Sequence, residues 1–186
     1  MTKTTKTSPL PTPRKIRKKL LHWYDRHQRD LPWRHTQDPW AILVSEVMLQ
    51  QTSVAVAIPY WNRFLDRWPD PQSLSRASLD EVLSMWAGLG YYRRAHYLME
   101  TAKAITAAGG DIPHDSATLR QLPGIGAYTA AAVSSIAYQE PAPAVDGNVE
   151  RVITRLSALR GNPRQGAPRH FVQRTASELL DPNRPG

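Results

Sequence analysis

From Ile16 onward, apolar residues recur at helical spacing along most of the chain. Ile16, Leu20, Trp23, Tyr24 and His27 fall on one face of an amphipathic stretch that ends near the turn at Asp30, Leu31 and Pro32. Asp38 followed by Pro39 puts an N-cap ahead of a proline at the first helical position and predicts a helix to about Gln51. A helical stretch over 52–68 contains Pro59, which predicts a kink or a restart at that point. Ser78 with Glu81 three residues later has the form of a capping box, for a helix that stops at Gly88. The next helix covers 91–108 and is closed by Gly109 and Gly110, and stretches 116–122, 127–137, 148–159 and 168–180 complete the set. No stretch sustains the two-residue alternation of a strand, so an all-α fold with short connections is predicted. There is no internal repeat.

The length of 186 residues and the 41% hydrophobic content suit one sizeable core, or two small lobes sharing one. No apolar run is long enough to span a bilayer, and the N-terminus lacks the apolar stretch of a secretory signal, so a soluble, intracellular protein is expected. The absence of Cys excludes a disulfide framework and any thiolate metal site within these residues. The net charge of +8 points to a polyanionic partner, yet Lys3, Lys6, Arg14, Lys15, Arg17, Lys18 and Lys19 supply most of it with no acid among them. That arm reads either as a solvated tail or as a loose tether to DNA; a mitochondrial transit peptide fits less well, because Lys outnumbers Arg there. Residues 1–13, rich in Thr and Pro and without periodicity, read as a flexible basic leader.

Three places carry candidate chemistry. The stretch 40–49 is apolar on every side, which predicts a buried helix, and Glu46 sits in its middle. A buried carboxylate must be neutral, paired or facing a cavity. Glu46 is therefore either an ion-pair partner of a neighbour such as Arg34, or a carboxyl whose pKa desolvation raises toward a proton-donating role near neutral pH. Leu122, Pro123, Gly124, Ile125 and Gly126 join a short helix to an Ala-rich one. The two glycines permit positive φ and let backbone amides at a helix N-terminus approach a phosphate. An ordinary turn between antiparallel helices has the same pattern. Asp146, before Gly147 and Asn148, is either a plain N-cap or a second carboxylate. Cleavage of a bond to an anomeric carbon uses such a pair, one to protonate the leaving group and one to stabilise the oxocarbenium-like centre. A base in duplex DNA reaches it only after being flipped out.

Together these stretches resemble the helix-hairpin-helix DNA glycosylase superfamily, and within it the MutY-type adenine glycosylases. The resemblance covers about 23–161 and is densest at Leu31-Pro32-Trp33-Arg34, at SEVMLQQT over 45–52, at GLGYY over 88–92, at 122–129 and at VDGNV over 145–149. It implies a six-helix lobe plus a second helical lobe that is incomplete in this chain. The expected organisation is 14–30 as the N-terminal helix of the second lobe, 31–140 as the lobe with the hairpin, and 141–186 as the return to the second lobe. It implies Glu46 as the acid that protonates adenine and Asp146 as the group that stabilises the sugar cation, assisted by Asn148 and Tyr128. Leu31, Trp33 and Arg34 would line the pocket for the extruded base, while Gln51 and Tyr91 would wedge into the emptied stack. Leu122, Gly124, Gly126 and Thr129 would bind phosphates, with a monovalent cation held by hairpin carbonyls.

In endonuclease III the position of Tyr128 is a Lys that attacks the sugar; a phenol forms no Schiff base, so a glycosylase without strong lyase activity is expected. The family's 4Fe-4S cluster has no Cys ligands in this chain, and truncation before that region is expected. The implied substrate is adenine mispaired with guanine or 8-oxoguanine in double-stranded DNA. The implied state is a monomer when complete, cytoplasmic and nucleoid-associated if the source is bacterial. A thymine-mismatch glycosylase can also carry Tyr at that position and is the enzymatic alternative. A non-catalytic helix-hairpin-helix module is the alternative of another class, and it leaves Glu46 unexplained.

Overall fold

The computed structural model describes residues 12–186; most of the leader, with Lys3 and Lys6, lies outside them. The chain divides into two compact units, one built from residues up to Gln28 together with Val145–Asp181, the other from Arg29–Ala144 with Pro182–Gly186. Among the described residues there is no strand, as the hydrophobic periodicity predicts.

The larger unit is organised around α2 (Pro39–Met48). Asp38 caps it, its Oδ1 accepting the Trp40 N–H at 3.0 Å, and Pro39 occupies the first turn. This helix packs on α8 (Ala127–Tyr138), α3 (Val54–Arg67) and α6 (Arg93–Ala107). The small side chains of α8 make the close approach possible: Ala130, Ala131, Ala132 and Ser134 are buried, and the Ser134 hydroxyl donates back to Ala130 O at 2.9 Å. Aromatic rings fill the other side of the core. Phe64 stands edge-on to Trp68 and Trp86, with centroids 4.8 and 5.9 Å away. Three buried indoles donate to carbonyls, Trp40 to Trp68 O at 3.0 Å, Trp61 to Ala41 O at 2.8 Å and Trp86 to Gly90 O at 3.0 Å. Large apolar area is thereby removed from water while these three donors stay paired. The remaining elements are a 3₁₀ turn (Pro32–Arg34), α4 (Pro71–Ser75), α5 (Leu79–Trp86) and α7 (Ser116–Leu119).

The smaller unit contains α1 (Pro13–His27), α9 (Gly147–Leu156) and α10 (Gly166–Leu179). Its core is thin: Ile153, Val172 and Ala176 are buried, with Val149, Leu159 and Phe171 packed against them. No residue of α1 is buried; Leu20 and Trp23 are 55% and 53% exposed. A hydrogen bond from Arg17 Nη2 to Glu178 O, 2.8 Å, ties α1 to the end of α10.

Several boundaries differ from the pattern reading. The helix expected to reach Gln51 stops at Met48, because Gln51 turns to φ 57°. The helix expected from 91 starts at Arg93, because Tyr91 has φ 49°. Pro59 does not restart α3, which runs through it as one helix, with Ala57 buried on one side of the proline and Trp61 and Phe64 on the other. Helix α4 was not expected, although Asp70-Pro71 repeats the Asp38-Pro39 signal; Asp70 and Ser73 close a capping box over it. The capping box of Ser78 and Glu81 is present as predicted, and its bonds to Ser78, backbone and hydroxyl, hold the Glu81 carboxyl below its ordinary pKa. Among the described residues no helix is long and apolar enough to cross a membrane.

Candidate active site and nucleic-acid interface

Glu46 projects from the helix whose burial is most complete. Every other residue from Trp40 to Met48 is buried, and Glu46 alone is half-buried. The 3₁₀ turn beside α2 puts Leu31 and Trp33 into the core at 6% and 8% exposure, Trp33 edge-on to Trp61 with centroids 5.9 Å apart. Arg34 is exposed, and its Nη1 donates to Arg29 O at 2.8 Å.

At the C-terminal end of α2 the chain makes two turns that no helix propensity would choose. Gln51 and Tyr91 both occupy the left-handed region, where a side-chain-bearing residue is strained by about 1–2 kcal/mol. Such conformations persist where the surroundings over-determine them. The surroundings here are one guanidinium. Arg94 is 7% exposed. Its Nη1 donates to Val47 O, Met48 O and Gln50 O at 3.1, 2.7 and 2.6 Å. Its Nη2 donates to Thr52 Oγ1, Leu89 O and Gly90 O at 3.0, 3.3 and 3.0 Å, and Nε reaches Tyr91 O at 3.4 Å. The guanidinium also lies over the Trp86 and Tyr91 rings, 5.5 and 5.4 Å from their centroids. Burial pushes its pKa below the ordinary arginine value. The two loops it joins open onto a groove of about 400 Å³ lined by Gln51, Tyr91, Tyr92, Arg93, Tyr97 and Gly124. Three of the sequence-predicted residues, Gln51, Tyr91 and Gly124, thus meet on one surface.

The hairpin over 122–126 is fixed to the same groove from below. Gly124 has φ 74°, and a Cβ there would lie 2.5 Å from Tyr97 Cβ, so both backbone angle and space require glycine. Thr101 Oγ1 donates to Pro123 O at 2.6 Å, fastening the hairpin to α6. Leu122 is half-buried against the core and Ile125 is buried. Gly126 is the N-cap residue of α8, and the first-turn amides of a helix lack acceptors within the helix itself. Thr129, in that first turn, is 3% exposed, so a contact from it to a phosphate would come from its backbone amide. Tyr128 is 37% exposed.

Asp146 and Asn148 belong to the smaller unit. Asp146 is the N-cap of α9: its Oδ1 accepts the Asn148 and Val149 N–H groups at 2.9 and 2.8 Å, and its Oδ2 accepts from Asn148 Nδ2 at 2.8 Å. The carboxylate orientation is therefore set by three donors, two of them from Asn148.

The sequence reading does not single out Arg94, the residue that joins these two loops. A signal was present: Arg93 and Arg94 place two cations in the first turn of a helix, where the dipole disfavours them, so at least one needs a strong local reason. Among the described residues no group of three or more His, Cys, Asp and Glu is placed to hold a metal ion. Since the chain has no Cys, its residues do not fit an iron-sulfur cluster.

Comparison with known proteins agrees with this architecture. Residues 44–178 match the family model described as HhH-GPD superfamily base excision DNA repair protein. An adenine DNA glycosylase of Rattus norvegicus is 46% identical over 181 residues, which cover 92% of this chain and 35% of that protein. One of Mycobacterium tuberculosis is 47% identical over 163 residues, covering 87% of this chain and 52% of that protein. The chain thus spans about a third to a half of the length of these curated relatives. Among solved structures, a thermostable thymine-DNA glycosylase superposes with a TM-score of 0.79 at 28% identity, covering 90% of this chain and 80% of that one. A helical unit with a glycine hairpin pinned under two strained loops, and a family match across most of its length, lead to one conclusion: this chain belongs to the HhH-GPD superfamily of base excision DNA repair proteins.

Proposed function

We propose that this chain is the catalytic part of a monofunctional adenine DNA glycosylase, which hydrolyses the N-glycosidic bond of adenine mispaired with guanine or 8-oxoguanine in double-stranded DNA. The observation that carries the reading is Glu46, the one charged residue of a helix otherwise buried from Trp40 to Met48, in a chain whose curated relatives are adenine DNA glycosylases. Glu46 protonates the extruded adenine, which turns a poor leaving group into a neutral one. The Asp146 carboxylate, aimed by its cap bonds to Asn148 and Val149, stabilises the positive charge that develops on the sugar as the base departs. Water then adds to the sugar, leaving an abasic site. Tyr128 and Asn148 support this site; Leu31, Trp33 and Arg34 line the base pocket, and Gln51 and Tyr91 fill the gap in the stack.

The amides around Gly124 and Gly126, and that of Thr129, hold backbone phosphates without reading sequence. Leu122 O and Pro123 O already accept Ile125 N and Thr101 Oγ1. Each carbonyl keeps a second lone pair that a monovalent cation would use, adding positive charge beside the phosphate. The proposed partner is mismatched duplex DNA, met by a monomer wherever the chromosome lies, the nucleoid in a bacterium.

A second reading, thymine-mismatch excision, is favoured by the superposition on a thymine-DNA glycosylase. Duplexes with adenine opposite 8-oxoguanine and with thymine opposite guanine decide between them. Release of free adenine from the first is expected. Release of thymine alone would establish the alternative, and binding without release of either base would leave a DNA-gripping module.

A further inference from the structure

We propose that Arg94 is the positioning residue for duplex opening, locking the loops at 49–52 and 88–91 into one rigid wedge that presents Gln51 and Tyr91 together. The inference rests on the reading that this unit engages duplex DNA. Its physical basis is the set of partners the guanidinium has. Arg94 donates to acceptors at both turns: Gln50 O and Thr52 Oγ1 bracket Gln51, while Leu89 O, Gly90 O and Tyr91 O hold the turn at Tyr91. It also takes Val47 O and Met48 O at the end of α2, the helix that bears Glu46. One buried side chain thereby couples the two strained turns to each other and to the helix of the proposed acid.

A guanidinium can do this because its five N–H donors lie in one plane and can be shared among several acceptors at fixed angles. An ammonium offers three donors around a point and cannot serve both loops. Because its donors are directed to the protein's own carbonyls and a hydroxyl, and the residue is buried, Arg94 acts on DNA through the loops rather than by touching a phosphate. Its neighbour Arg93 is the exposed one, lying over the Tyr97 ring at the groove wall. Inserting side chains into a base stack means working against unpairing and unstacking. A wedge already held in its final conformation loses little further freedom when it enters, whereas two independent loops would have to be ordered at that moment.

The test compares the parent with Arg94→Lys and with the milder Thr52→Val, in the full chain, at a temperature where circular dichroism shows each folded. Opening is read by stopped-flow fluorescence of 2-aminopurine placed beside the target adenine in a duplex. Excision is read under single turnover on that duplex and on a substrate whose adenine is already unpaired in a small bulge. Arg94→Lys is expected to slow opening and duplex excision at least tenfold while staying within about twofold of the parent on the bulge. Thr52→Val is expected to show the same split at roughly two- to fivefold. A purely structural role would lower both substrates equally. That result, parental opening by the variants, or a parent that never opens the duplex, would overturn the proposal. If Arg94→Lys does not fold, Thr52→Val decides by the same split. A parent that opens the duplex but releases no adenine refutes the proposed glycosylase activity, and the fluorescence comparison still decides the role of Arg94.

Discussion

At the scale of single residues, Glu46 and Arg94 show opposite kinds of legibility. Glu46 stands out in the one-dimensional pattern because it interrupts a run that has no polar face, and the structure leaves it half-buried between buried neighbours on α2. Arg94 does not stand out, because its acceptors are backbone carbonyls, and no residue letter announces which carbonyls a fold will leave available. If Glu46 is the acid, Glu46→Gln keeps shape and hydrogen-bonding capacity but cannot give up a proton in the same way. Base release under single turnover should fall on the order of 100-fold or more while DNA affinity stays near the parent's. A near-normal rate would remove Glu46 from the mechanism. Tyr128, 37% exposed at the start of α8, offers a complementary test. Tyr128→Lys puts an amine where the lyases carry one, and borohydride should then trap a covalent complex with abasic-site DNA. Trapping no stronger than in the parent would mean that this position does not face the sugar.

At the scale of elements, the hairpin separates packing from recognition through its two glycines. Gly124 needs both a left-handed φ and the missing Cβ, since Tyr97 Cβ would lie 2.5 Å from an added one. Gly124→Ala should cost about 1–2 kcal/mol for the backbone angle and roughly 1–3 kcal/mol for overpacking. That is a large share of the typical 5–15 kcal/mol of a folded domain, so a clear drop in melting temperature is expected. Gly126 has φ −86° and no heavy atom within 4 Å of an added Cβ. Gly126→Ala should cost less than about 1 kcal/mol as a weaker cap, yet weaken duplex binding by holding the amides of α8 off the phosphate. Thermal melts and binding titrations of the two variants test this; equal melting temperatures would mean that the hairpin is looser than the Tyr97 contact implies.

At the scale of the whole molecule, the two units differ in how much they bury. In the larger unit α2 is buried from Trp40 to Met48 except at Glu46 and α8 is buried from Thr129 to Ser135, whereas among the described residues the smaller unit has three buried apolar residues and an α1 with none. Local opening free energies follow buried contact density. Amide hydrogen exchange followed by mass spectrometry should therefore find α2 and α8 slowest and α1 fastest, with α9 and α10 between. Uniform protection in all four would show that α1 and the small core are stabilised by something the burial pattern does not reveal. Leu20 and Trp23, more than half exposed on α1, also predict self-association that light scattering should detect and that Trp23→Glu should relieve.

The sequence by itself determined the local events: the Asp38 cap, the Ser78 and Glu81 capping box, the helical periods and the lone carboxyl of α2. Each of these depends on residues within a turn or two of one another, so spacing alone expresses it. The short helix at Asp70 and Pro71 is equally local, since Asp70 and Ser73 alone form its capping box. Only the tertiary structure decided where α2 stops and α6 starts, because Gln51 and Tyr91 hold left-handed angles that nothing nearby favours. They are kept there by Arg94, whose bond to Met48 O crosses 46 positions of sequence. It likewise decided that Gly124 must be glycine, since the side chain that forbids a Cβ comes from Tyr97 on another helix. What a residue does to its own turn is written locally, and what a buried side chain does to a distant backbone exists only once the chain has brought the two together.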